Sequence, residues 1–211
     1  MFTALIWVAW LSLMYSDFRN KRQPRMLIHQ TNGYGPESHC MLVNLSQEIL
    51  HVECVLAAAL KDGEERSVVL GSEQIDPRKM PGPSELENMM RQGPLSSGQM
   101  LMIGSFEEIL EALTDKKPAQ GYDWLDATQI TDLHHVEIRV VAVYGASDQS
   151  VGARRRFRLE GDEDDLLRVK PEQMYTDQIY QRRRRSIPEG WLRDCMDQKP
   201  LVAHRQSQEE G

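Results

Sequence analysis

Cysteine is scarce in this chain and follows no metal-binding pattern: Cys40, Cys54 and Cys195 are odd in number, and none stands in a CxxC pair. Such usage argues against a secreted disulfide framework and suits a reducing compartment. The signatures of familiar chemistries are missing as well. There is no HExxH, GxSxG, P-loop, GxGxxG or EF-hand loop, so zinc-protease, hydrolase, nucleotide and calcium readings have no motif to rest on. No internal repeat with a period of about 20 to 50 residues is visible, which excludes solenoids and propellers. Apolar runs long enough for several membrane spans are absent too; the mean hydropathy of -0.52 and net charge of -7 describe a soluble body.

What the first fifteen residues lack is charge. Leu5, Ile6, Trp7, Val8, Trp10, Leu11, Leu13 and Met14 all favour hydrocarbon or its interface, and no helical spacing leaves a polar face. Residues 1–18 are therefore expected to form one transmembrane helix. Its reach is about 27 Å against a hydrocarbon core of about 30 Å, a shortfall that snorkelling Arg19 and Lys21 or a thinned bilayer absorbs. A start upstream of Met1 would also lengthen it. The alternative is a buried core helix. No basic residue precedes the run, so a cleaved secretory signal is not expected. The positives follow instead: Arg19, Lys21, Arg22 and Arg25 form a juxtamembrane segment over residues 19–25. Held on the cytoplasmic side, they place the N-terminus outside and the rest of the chain in the cytosol.

From residue 26 the pattern has period two more often than 3.6, and 26–199 is read as one cytosolic β-rich domain. RMLIHQ and HCMLVNLS are short strands separated by the turn-forming TNGYGPES, and NLSQE is expected to join two strands as a hairpin. EILHVECVLAAAL reads as a long strand buried on one face, with Leu50, Val52, Cys54, Leu56, Ala58 and Leu60 alternating against a mixed set. RSVVL, QMLMIG, HVEIRVVAVYG and GARRRFRLEG are further strands. The last carries Arg154, Arg156 and Arg158 on one face and Ala153, Arg155, Phe157 and Leu159 on the other.

Residues 71–98 are proline-rich and read as a surface excursion, with a helical turn after Ser84. SFEEILEALTD predicts a short amphipathic helix capped by Ser105 and Glu108. TDQIYQRRRRSIPEGWL predicts a helix from Asp177 that stops before Pro188, after which Trp191 and Leu192 return to the core. Residues 200–211 read as a disordered tail. The resulting fold class is mainly β with one or two short helices, an antiparallel β-sandwich preceded by the membrane helix.

The runs FRNKRQPRMLIHQTNGYGPESHCMLVNLSQEILHVECVLAAAL, QGPLSSGQMLMIGSFEEIL and TDQIYQRRRRSIPEGWL together resemble a family of uncharacterised bacterial proteins with an N-terminal membrane segment and a small β-rich domain. The resemblance covers most of the chain. It implies a bacterial inner-membrane anchor and carries no activity with it.

Candidate chemistry is thin. A pocket near His29, His51 and His134 would suit a ligand- or metal-binding sensor or an enzyme, yet polar residues on a solvated sheet face explain the same pattern. Cys40 beside His39 or His51 resembles a thiolate and base pair, but a cysteine inside an apolar strand behaves as a small hydrophobe. RQGPLSSGQ reads as a turn rather than an anion cradle. The basic clusters Arg154–Arg158 and Arg182, Arg183, Arg184 and Arg185 have three readings: pairing with the acidic run from Glu160 to Asp165, contact with anionic lipid headgroups, or nucleic acid, which the acidic balance disfavours. The expectation is a non-enzymatic, single-pass inner-membrane protein, without cofactor or metal, whose cytosolic domain engages an unidentified protein partner or organises a membrane complex.

Overall fold

The turn chemistry of residues 31–38 is the first local signal to translate into structure. In the computed structural model, which describes residues 2–21, 23–31, 33–61, 64–70, 91–114, 133–145, 149–161 and 167–198, strands β1 (Met26–Thr31) and β2 (His39–Asn44) pair antiparallel across that turn. Gly33 adopts φ 103°, a conformation that costs a residue without Cβ little. Strand β6 (Met100–Ser105) adds to β2 and completes a three-stranded sheet in the order β1-β2-β6. Its inward residues Met26, Ile28, Cys40, Leu42 and Ile103 are all buried.

The second sheet has seven strands. β3 (Leu50–Lys61) and β7 (His135–Tyr144) lie at its centre, β4 (Glu64–Val69) and β5 (Gly93–Leu95) pair with β3, and β8 (Ser150–Gly161) pairs with β7, β9 (Leu167–Pro171) and β10 (Asp177–Ile179). Val55, Ala57, Val136, Ile138, Val140 and Phe157 share one core cluster with the inward face of the first sheet. The described residues are thus mainly β and antiparallel, with three α-helices, an architecture compatible with the expected sandwich. Helix α2 (Phe106–Thr114) closes this core with Phe106, Ile109, Leu110 and Leu113. It is capped as its sequence predicts: the Glu108 amide donates to Ser105 Oγ at 3.1 Å and the Ser105 amide to Glu108 Oε2 at 3.3 Å.

Three expectations are corrected. NLSQE is not a hairpin, because it carries the chain from one sheet to the other, with the Asn44 side-chain Nδ2 donating to the carbonyls of Glu48 and Leu95 at 2.9 and 2.8 Å. Strand β3 is buried on both faces. Its register against β7 shifts between Val52 and Cys54, so Leu50, Val52, Val55 and Ala57 face the first sheet, while Cys54 and Leu56 face the opposite side. The C-terminal helix lies later than predicted: Asp177–Ile179 is strand β10, a 3-10 turn follows at Arg182–Arg184, and α3 spans Ser186–Gln198. Proline fits a first helical turn, where its missing N–H has no intrahelical partner. Pro188 therefore begins the helix instead of ending it.

Helix α3 covers the outer face of the seven-stranded sheet, packing Trp191, Cys195, Ile187 and Leu192 against Cys54, Leu56, Val69, Val141 and Ile179. Gly152 makes the approach close, since a Cβ there would lie 3.1 Å from Pro188 Cβ and 3.2 Å from the Trp191 ring. Cys54 and Cys195 form a disulfide, with Cα atoms 6.6 Å apart and a sequence separation of 141. The cysteine usage, read as arguing against a disulfide framework, gave no sign of this bond, because helix α3 brings together residues that no local spacing connects. On the chain-entropy account, a loop of this length restricts the unfolded state by about 5 kcal/mol.

Helix α1 (Phe2–Lys21) precedes β1. Its apolar side chains Leu5, Ile6, Trp7, Val8, Trp10, Leu11, Leu13 and Met14 are each more than half exposed, and Trp7 stacks edge-on against Trp10 with ring centroids 5.7 Å apart. Among the described residues no helix is long and apolar enough to cross a membrane. The expected transmembrane helix finds no support in that comparison, because Asp17, Arg19 and Lys21 fall inside α1 and shorten its apolar part. The helical turn after Ser84 and the tail from Pro200 lie outside the described residues.

Candidate functional site

The histidines do not converge. His29 is exposed on the three-stranded sheet, whereas His51 pairs with Val143 at one end of the β3–β7 ladder and His134 precedes the other end, where Val136 pairs with Ala59. The expected pocket near His29, His51 and His134 is therefore not assembled. Among the described residues no group of three or more His, Cys, Asp or Glu is placed to hold a metal ion. Cys40 is no nucleophile: burial pushes its thiol up to about 12, outweighing the nearby Arg155. RQGPLSSGQ forms strand β5 and a turn, in which the Ser97 hydroxyl donates to the Ser46 carbonyl at 2.6 Å.

The arginines of β8 divide by strand parity. Arg155 points inward, where its guanidinium donates to the carbonyls of Ile28, Gln173 and Met174. Burial holds its pKa below the ordinary value. Together with Thr176, which accepts from the Ile28 amide at 3.0 Å, and Gln178, which accepts from the Met26 amide at 3.0 Å, it satisfies the backbone of β1 along its open edge. The two sheets are joined there by side chains that replace a strand. The alternation Arg154, Arg156, Arg158 against Arg155 is visible in the sequence, but the carbonyl acceptors, more than 120 residues away in the case of Ile28, are not.

On the outer face, Glu137 is the centre of a charge lattice. Its side chain is 6% exposed and lies 2.7 Å from Arg139 Nε, 3.1 Å from an Arg156 nitrogen and 3.9 Å from an Arg154 nitrogen. Arg139 also donates to both carboxylate oxygens of Glu65, at 2.7 and 2.9 Å. Burial works against the Arg139 charge, but hydrogen bonds to Glu65 and Glu137 prevail and raise its pKa. The same guanidinium lies 5.4 Å from the centroid of the Trp191 ring, so the lattice and helix α3 share a boundary.

A second node follows at Asp177, which accepts from Arg154 and from both terminal nitrogens of Arg184; the Arg184 hydrogen bonds, with those of Arg154, hold its carboxyl below the usual range despite partial burial. Arg158 and Lys170 pair with Glu160, Arg158 also with Glu172, and Arg185 with Glu189. Of the acidic run expected to neutralise these arginines, Glu160 pairs with Arg158, and residues 162–165 lie outside the described residues. Glu137, Asp177 and Glu172 are further partners. Their role was not legible because strand pairing, not sequence proximity, delivers them.

A different surface appears on the three-stranded sheet. Leu27, Val43 and Met100 form one cross-strand row and His29, Met41 and Met102 the next, all on the outward side. Met100 is 63% exposed and Met102 48%. Methionine makes such a surface adaptable, because its thioether is unbranched and polarizable.

No protein-family model, no curated protein and no solved structure matches this chain.

Proposed function

We propose that the chain is a membrane-anchored, non-enzymatic protein whose sandwich-like β domain binds a protein partner beside the bilayer. The observation that carries this reading is α1, a helix of 20 residues whose apolar side chains, Trp7 and Trp10 among them, are exposed and which ends shortly before β1 begins. Apolar surface of that extent in water is unfavourable by about 25 cal/mol per Å², so lipid or another protein must cover it. Tryptophan and tyrosine in the helix suit the membrane interface even where an apolar span falls short. The methionine-rich face of the three-stranded sheet supplies the adaptable surface for a partner.

Arg19, Lys21, Arg22 and Arg25 favour a bacterial inner membrane with the N-terminus outside and the domain in the cytosol, and each cation near an anionic leaflet contributes about 1 kcal/mol. Of the second basic cluster proposed for headgroups, Arg184 and Arg185 face Asp177 and Glu189, which weakens their part in lipid binding. A second topology, with the domain on the oxidising side, is favoured by the buried Cys54–Cys195 bond.

Membrane fractionation tests the anchor: the full chain should stay in carbonate-washed membranes and a chain starting at Gln23 should leave them. A full chain found in the supernatant would end the proposal. A reporter fused after Gly211 separates the topologies, since alkaline phosphatase is active only outside the cytosol. Partner capture from membranes should be lost in Met100→Asp/Met102→Asp, and capture that survives both changes would remove that face from the account.

A further inference from the structure

We infer that Cys54–Cys195 is a redox-operated clamp: the bond keeps helix α3 seated on the outer face of the seven-stranded sheet, and its reduction lets the helix lift away. The inference goes beyond the membrane reading and does not depend on it.

The seat beneath α3 is small. Only Pro188, Trp191 and Cys195 are buried in this 13-residue helix, with Ile187 and Leu192 partly covered. Its own sequence is a poor helix former, carrying Gly190 and Asp194, and isolated helices of this length are marginal in water. Met196 is exposed near its end. Noncovalent attachment therefore comes mainly from Trp191, its contact with Arg139, and the Arg184–Asp177 pair just before the helix. With the bond intact, a helix that opens stays tethered at both ends, by Arg184 and by Cys195, which limits the freedom it gains. Without the bond, the far end is released and opening is no longer restricted.

The remaining cysteine does not interfere. Cys40 lies in the other core cluster, and its buried thiol is not ionised at neutral pH. Both sulfur-bearing residues of the clamp are themselves buried, at 0% and 1% exposure, so exchange proceeds from the transiently opened helix. The reductant is a dithiol. One of its thiolates attacks one sulfur of the bond, its second thiol resolves the mixed disulfide, and two electrons and two protons pass to Cys54 and Cys195 as the dithiol closes to its own disulfide. The lifted helix uncovers Leu56, Val69, Val141 and Ile179, an apolar strip that α3 hides when oxidised.

Hydrogen exchange on the full chain in detergent micelles, with and without dithiothreitol, tests the clamp. After reduction the amides of residues 191–198 should exchange about tenfold faster or more, while those of β7 stay protected. Cys54→Ser/Cys195→Ser should show the same exchange without reductant, and Cys195→Ala serves if the double variant fails to fold. Unchanged protection of α3 in protein whose thiols are shown by alkylation to be free would overturn the clamp. So would loss of protection across β7 at the same time, which would make the bond a support for the whole fold. Alkylation of Cys54 and Cys195 in air-purified, unreduced protein would overturn it at its first premise.

Discussion

Arg184 holds Asp177 with both terminal nitrogens, at 3.1 and 2.8 Å, while Arg154 reaches the same carboxylate from the neighbouring strand at 3.0 Å. One acid thereby ties the 3-10 turn before helix α3 to strand β8.

The pH dependence of that tie has a definite sign. The folded carboxyl of Asp177 titrates below its unfolded value of 3.8, so the stability it contributes is present above about pH 4 and is lost as pH falls through the folded pKa. Asp177→Asn should cost about 1 kcal/mol or less at pH 7, given partial exposure, and the difference from the parent should shrink at a second pH well below the unfolded value of 3.8. Urea melts at the two pH values measure it. A penalty that persists at the lower pH would mean that the contribution is packing and not charge.

Glu137 should matter more. It is buried among Arg139, Arg154 and Arg156, so Glu137→Gln leaves those guanidiniums without their central anion and should cost about 3 kcal/mol. The control is Glu65→Gln, whose side chain is 54% exposed, with an expected cost under about 1 kcal/mol. Equal costs in chemical denaturation would remove Glu137 from the centre of the lattice.

Gly152 limits how closely α3 can approach. Gly152→Ala introduces a Cβ 3.1 Å from Pro188 and 3.2 Å from Trp191, and should destabilise by about 1 kcal/mol while raising exchange in α3 before exchange in β7. A variant as stable as the parent would show that the helix shifts at no cost.

Cys40 should be silent. With its thiol raised to about 12, iodoacetamide at about pH 9 should leave the native chain unmodified at this position, and modification should appear only on unfolding in guanidinium. Rapid labelling of Cys40 in folded protein would contradict its burial.

Local rules made some of this architecture readable in advance. The Ser105–Glu108 box starts α2, and the two-residue period of HVEIRVVAVYG and of the β8 arginines assigns faces correctly, because neither depends on distant contacts. The period fails in β3, where a register shift after Val52 turns Cys54 outward and no residue type announces it. Pro188 misled for a related reason: proline is a helix breaker in the interior and an ordinary residue in a first turn, and only the helix boundary tells which applies. The clamp joins residues 141 apart, so it depends wholly on tertiary structure. The histidines share a residue type and no local spacing, and the β3–β7 ladder holds His51 and His134 at opposite ends.

Membrane anchoring requires lipid to cover α1. The direct measurement is fluorescence of Trp7 and Trp10 in a full chain carrying Trp124→Phe and Trp191→Phe, reconstituted into vesicles whose acyl chains are brominated at graded depths. Both tryptophans should be quenched, and quenching should depend on bromine depth. Emission that bromine leaves unchanged would contradict the membrane reading and leave a protein partner as the cover for α1.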